Sequence, residues 1–141
     1  TSKIADNFLI SLVAEKGGAT IVALSGDLGS GKTAFVQECA KLLGVSGNIT
    51  SPTFVIMKKY VVSAIPIRYT LNAIRSIVHI DAYRLKSGDE LLKLNIREVF
   101  ADTESIVFIE WPENVSTAMP KDAVKLDFKF IDEGVRKISF R

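Results

Sequence analysis

Apolar positions in this chain follow two rhythms, and their order outlines a fold. Thr20–Ser25 (TIVALS), Ile77–Asp81 (IVHID) and Ser105–Glu110 (SIVFIE) are short, nearly unbroken apolar runs. Such runs predict strands buried on both faces, the usual state of a parallel sheet. Between them the spacing turns helical. Ser2–Lys16 carries Ile4, Phe8, Leu9, Leu12 and Val13 on one predicted face and stops at Gly17-Gly18. Lys32–Gly44 puts Phe35, Val36, Cys39, Leu42 and Leu43 on one face, with Gly44 as its C-terminal stop. Ser87–Phe100 predicts a third helix, with Ser87 and Glu90 in the spacing of a capping box.

Three further segments complete the outline. FVIMKKYVV, residues 54–62, is strand-like. Ala123–Phe130 alternates strictly, so one face is buried. IDEG then turns the chain, and VRKISFR returns as a hairpin partner. Gly44–Thr53 is small and polar and reads as a loop, and Pro66 interrupts an aperiodic stretch over 63–76. The order predicts a single α/β domain over residues 1–141: a mostly parallel sheet flanked by helices, with an antiparallel C-terminal hairpin.

The first strand–helix junction carries chemistry. Gly26, Asp27, Leu28, Gly29, Ser30, Gly31, Lys32 and Thr33 spell G-x-x-x-x-G-K-[ST], after a strand and before a helix. This is the P-loop pattern in its required setting, and it makes the fold P-loop NTPase-like. Glycines let successive backbone N–H groups turn toward phosphate oxygens. Lys32 supplies a compact cation for the β- and γ-phosphates, and the Thr33 hydroxyl faces a bridging magnesium ion. The bland alternative is a glycine-rich turn.

Such a loop binds phosphate but needs carboxylates for magnesium and for attacking water. Asp81 and Glu110 each close an apolar run, where open α/β sheets gather ligands. His79 shares a strand face with Asp81. It reads as a structural histidine hydrogen-bonded near the site, with a general base as the alternative. Ser51-Pro52-Thr53 lies where P-loop switch proteins carry a γ-phosphate sensor, although a plain loop explains it equally. No N-K-x-D segment is present, which tilts the base toward adenine.

Composition adds limits. A net charge of +2 is too small to mark a nucleic-acid binder, and no apolar stretch has the length of a membrane span. The one cysteine, Cys39, lies on an apolar helix face and reads as packing. With no signal-peptide pattern at the start, the expectation is a cytoplasmic protein.

In order, GDLGSGKT, SPTF, HIDAYR, DELLKLNIREVF and IEWPE resemble the TsaE family, also called YjeE, over nearly the whole chain. The resemblance implies a bacterial Mg2+-dependent ATPase working with TsaD and TsaB. That machinery makes threonylcarbamoyladenosine at position 37 of tRNAs that read codons beginning with A. TsaD transfers the group, tRNA is met through the complex, and TsaE supports repeated turnover. By position, the family's phosphate-binding segment falls on Gly26–Thr33 and its magnesium-binding hydroxyl on Thr33. Its functional acids fall on Asp81 and Glu110, both on the magnesium side, and its switch threonine on Thr53. Trp111 lies next to the site. A nucleotide-approaching arginine falls on Arg136, although here Val135 separates it from Gly134. The stretch between Tyr60 and Ile77 is longer than the family pattern. Its Arg68, Tyr69 and Arg75 are read as a partner-facing surface or a solvated insertion. Two other functions stay open: a small P-loop kinase acting on a metabolite, and a nucleotide-dependent binding module.

Overall fold

The computed structural model describes residues 2–47, 49, 56–132 and 135–140, the side chains of 131, 132, 135, 136 and 140 excepted. Its elements run α1 (Ser2–Ser11), β1 (Thr20–Ser25), α2 (Lys32–Leu42), β2 (Met57–Val61), β3 (Ser76–Asp81), α3 (Gly88–Leu92), α4 (Ile96–Ala101) and β4 (Ser105–Glu110). A 3-10 helix (Pro112–Ala118), β5 (Val124–Asp132) and β6 (Val135–Phe140) follow.

One six-stranded sheet has the order β2-β3-β4-β1-β5-β6. Strands β3, β4, β1 and β5 are mutually parallel, and β6 closes one edge antiparallel to β5, as the pattern predicts. The other edge, β2, is also antiparallel, which the sequence reading left unassigned.

Strand alternation sends side chains into two cores. Val22, Leu24, Ile77, Ile106, Phe108, Leu126 and Phe128 meet α1 and α2 on one face. Ile21, Ala23, Val78, Ile80, Val107 and Ile109 meet Leu91, Ile96 and Val115 on the other. Phe35 ties the first core together. Its ring is edge-on to Phe8 at 5.5 Å and to Phe128 at 5.4 Å, so α2, which follows the phosphate loop, is held by α1 and β5 together. Cys39 is buried in this core, and burial pushes its thiol well above the usual range, so packing is its role.

Several local expectations are corrected. The apolar stripe of α1 is Ala5, Phe8 and Leu9, continued by Leu12. Ile4 is 39% exposed, off that stripe, and Val13 is 72% exposed because α1 ends at Ser11, well before Gly17. There the Ser11 hydroxyl donates to the Phe8 carbonyl at 2.7 Å, taking up one of the helix's last acceptors. The segment 87–100 is two helices, since Asn95 takes a left-handed φ of 57° between α3 and α4. The Ser87 side chain makes no cap bond; Glu90 instead accepts from the Lys86 N–H at 2.8 Å. Phe130 is exposed at the end of the alternating face.

In the long stretch after Tyr60, Arg68 and Arg75 are exposed, but Tyr69 is not solvated. Tyr69 is 3% exposed and packs with Leu71 and Ile74 in the first core. Its hydroxyl donates to Asp6 of α1, and Arg68 pairs with the same carboxylate at 3.0 Å. Among the described residues no helix is long and apolar enough to cross a membrane.

Candidate functional site

The carboxyl ends of β1, β3 and β4 converge on one cavity of about 490 Å³. Leu28 to Ala34, Asp81, Tyr83, Glu110 and Trp111 line it. The sequence-predicted phosphate loop and both predicted acids therefore share one crevice.

The loop leaves β1 at Gly26 with φ 147°. A Cβ there would stand 2.5 Å from the Phe128 carbonyl oxygen, so only glycine lets the loop turn against β5. Gly31, at φ 103°, hands the chain into α2. The resulting curl collects backbone donors at a helix start, the arrangement that receives anions.

Lys32 opens α2 and is 4% exposed. Its Nζ donates to the Gly26 carbonyl, to the Asp27 carbonyl at 2.9 Å and to Ser30 Oγ at 3.4 Å. It also lies 4.3 Å from the centroid of the Trp111 ring. Burial depresses its pKa, partly offset by Glu110, Glu113, Asp81 and Asp27.

Thr33, the next residue, donates its hydroxyl to Glu110 at 2.9 Å from each carboxylate oxygen. Glu110 is buried at the end of β4, and His79 Nε2 lies 2.6 Å from its Oε2. Strand register sets Asp81 directly beside Glu110. Asp81 accepts from the Tyr83 N–H at 3.0 Å. Burial pushes its pKa up, and the neighboring Glu110 charge adds to this.

The oxygens present suit magnesium. Among the described residues no group of three or more His, Cys, Asp or Glu side chains is arranged to hold a metal by itself. One hydroxyl and two adjacent carboxylates are hard ligands for an ion that keeps waters and takes further oxygens from phosphates. Thr33, Glu110 and Asp81 are the residues that would hold it.

Trp111 follows Glu110 in the left-handed region, at φ 62°, and Pro112 begins the 3-10 helix. Its N–H donates to the Leu24 carbonyl at 3.2 Å, so the turn is pinned to β1. This conformation aims the indole back over Lys32. Tyr83 packs against that ring at a tilt of 56°, centroids 5.0 Å apart. Asn114 Nδ2 donates to the Ala82 and Tyr83 carbonyls at 3.1 and 3.2 Å, latching together the loops after β3 and β4. Ser25 Oγ donates to Glu113 at 3.1 Å. Sequence reasoning missed Tyr83, Glu113 and Asn114 as parts of the site. All three lie within four residues of a predicted acid, the signal that could have found them.

For two predicted site residues the structure describes no side chain. Thr53, with Ser51 and Pro52, lies outside the described residues. Arg136 is placed on β6 opposite Phe130, and its side chain lies outside them as well.

Residues 1–138 match the family described as "Threonylcarbamoyl adenosine biosynthesis protein TsaE". The chain is similar to the tRNA threonylcarbamoyladenosine biosynthesis protein TsaE of Haemophilus influenzae, with 33% identity over 89% of this chain and 71% of that one. The protein of the same name from Borreliella burgdorferi is 38% identical over 81% of this chain and 76% of that one. Among solved structures, YdiB of Bacillus subtilis superposes with a TM-score of 0.66 over 99% of this chain and 76% of its own, at 22% identity. At that identity the likeness speaks for the fold.

Proposed function

The chain belongs to the TsaE family, whose members serve tRNA threonylcarbamoyladenosine biosynthesis, and we propose that its part there is to bind ATP with Mg2+ and hydrolyze it. One observation carries this reading: Lys32 and Thr33 from the start of α2, with Asp81 and Glu110 from the ends of β3 and β4, line a single cavity beside a glycine-turned phosphate loop. The working partners are TsaD and TsaB, as the family resemblance implies, and tRNA is reached through them.

The residues divide the work. The loop's backbone amides and the positive end of α2 receive the phosphates. Lys32 is held by loop carbonyls and the indole, and it exchanges these for phosphate oxygens when nucleotide arrives. Bound magnesium would neutralize charge on the β- and γ-phosphate oxygens. Thr33 keeps its proton on Glu110 and turns its lone pairs to the cavity. Asp81 and Glu110 hold and orient water. In the reaction, water oxygen bonds to the γ-phosphorus, the bond to the β-bridging oxygen breaks, and ADP and phosphate leave. Adenine is the base favored by the absence of an N-K-x-D segment.

ATP hydrolysis by the purified protein, alone and with its cognate TsaB and TsaD, tests the reading. Slow hydrolysis that the partners change supports it. Phosphate transfer to a small metabolite would favor the kinase alternative instead.

A further inference from the structure

We propose that His79 is a positioning residue that sets the Thr33 hydroxyl through Glu110; this rests on the ATPase reading above. His79 is fully buried on β3, between Ile77 and Asp81 on the same strand face. An apolar residue would fill such a place without burying polar atoms, so the imidazole needs a reason. Its Nε2 meets Glu110 Oε2 at 2.6 Å, and its Nδ1 has no hydrogen-bond partner among the described residues.

These two facts select a tautomer. With the proton on Nδ1, two acceptors would face each other across 2.6 Å while a buried N–H went unmatched. With the proton on Nε2, the imidazole donates to the carboxylate and only a lone pair is left over, the cheaper defect.

The consequence runs outward. Glu110 is buried and has two described side-chain donors, His79 and Thr33. His79 fixes the carboxylate from beneath the cavity, and the fixed carboxylate takes the Thr33 proton. The Thr33 lone pairs are thereby left for a cation. Without His79 the carboxylate can rotate, and the Thr33 proton loses its fixed acceptor. Groups that orient metal-side ligands in this way typically govern 10–100-fold in metal affinity or activity.

His79 is the chain's only histidine, so its ring can be read directly. In imidazole nitrogen-15 spectra of the labeled full chain, the proton should sit on Nε2, and Glu110→Gln should shift that signal. The second readout is the magnesium concentration that half-saturates binding of a non-hydrolyzable ATP analogue. His79→Leu should raise it about tenfold or more, with affinity for the nucleotide in EDTA unchanged, which also reports an intact phosphate loop. His79→Gln, which can return an N–H donor to the same side, should recover most of the loss. A proton on Nδ1, or magnesium dependence unaltered in His79→Leu, would overturn the proposal. So would a His79→Gln protein that binds nucleotide in EDTA but is as impaired toward magnesium as His79→Leu. If the unsubstituted chain binds nucleotide with no response to magnesium, the ATPase reading fails first, and the proposal with it.

Discussion

Thr33 and Glu110 are 77 positions apart in the chain, and the Thr33 hydroxyl lies 2.9 Å from both oxygens of the Glu110 carboxylate. The first residue belongs to the phosphate loop's helix, the second to the end of β4, a direct neighbor of β1 in the sheet. The parallel pairing of β1 with β4 is therefore what makes a magnesium-side pair from two separate motifs. The function argued above depends on that pairing.

Lys32→Ala should abolish productive ATP binding. The side chain is the buried cation of the cavity, and its loss also strips the Gly26 and Asp27 carbonyls of their donor. Removing one partner of a desolvated charge pair costs about 2–5 kcal/mol. Nucleotide titration by calorimetry reads this loss directly. Unchanged affinity would remove the phosphate-loop assignment.

Trp111, the only tryptophan, should report nucleotide binding. Its ring lies 4.3 Å from Lys32 Nζ, and ATP is expected to draw that ammonium away. Indole emission should change on adding ATP to the wild type, and stay constant for Lys32→Ala. An emission spectrum indifferent to saturating ATP would mean that Lys32 does not move.

Glu110→Ala should cut hydrolysis more than nucleotide binding, and should also lower thermal stability. It leaves the Thr33 hydroxyl and the buried His79 without their acceptor, and an unsatisfied buried donor costs about 1–3 kcal/mol. Glu110→Gln should lose activity with a smaller drop in melting temperature. A Glu110→Ala protein with wild-type turnover would reduce the residue to a structural cap.

Asp81 should trade stability for activity in a pH-dependent way. Burial, and then the Glu110 charge, raise its pKa above the ordinary 3.8. The folded chain thus holds this proton more tightly than the unfolded chain. The linked stability is fully present below 3.8 and is lost as pH rises through the folded pKa. Asp81→Asn keeps an acceptor for the Tyr83 N–H and removes the buried charge. It should therefore match or exceed the wild-type melting temperature at pH 7, with any advantage vanishing below 3.8, while hydrolysis falls. A melting temperature well below wild type at pH 7 would contradict this.

The central strands and the phosphate loop were legible because their causes are local. An unbroken apolar run reports burial on both faces, and the acids at Asp81 and Glu110 mark where each run meets solvent. The failures have tertiary causes. Tyr69 reads as part of a partner-facing surface or a solvated insertion because its partner, Asp6, sits on α1 far earlier in the chain. The break at Asn95 is one residue in a left-handed conformation inside an otherwise helical spacing, and periodicity does not register it. Val13 kept the apolar rhythm after the helix had ended at Ser11. The resemblance puts Trp111 next to the site, but its packing over Lys32 depends on a positive φ that no pattern of residue types announces.

Reconstituted modification of a tRNA that reads codons beginning with A, with cognate TsaD and TsaB and with this protein supplied or withheld, tests the central claim most directly. Modification should continue past a single turnover only when the chain is present and ATP can be hydrolyzed, and should stall with Lys32→Ala. Equal multiple-turnover yield without the protein, or with Lys32→Ala in its place, would contradict it.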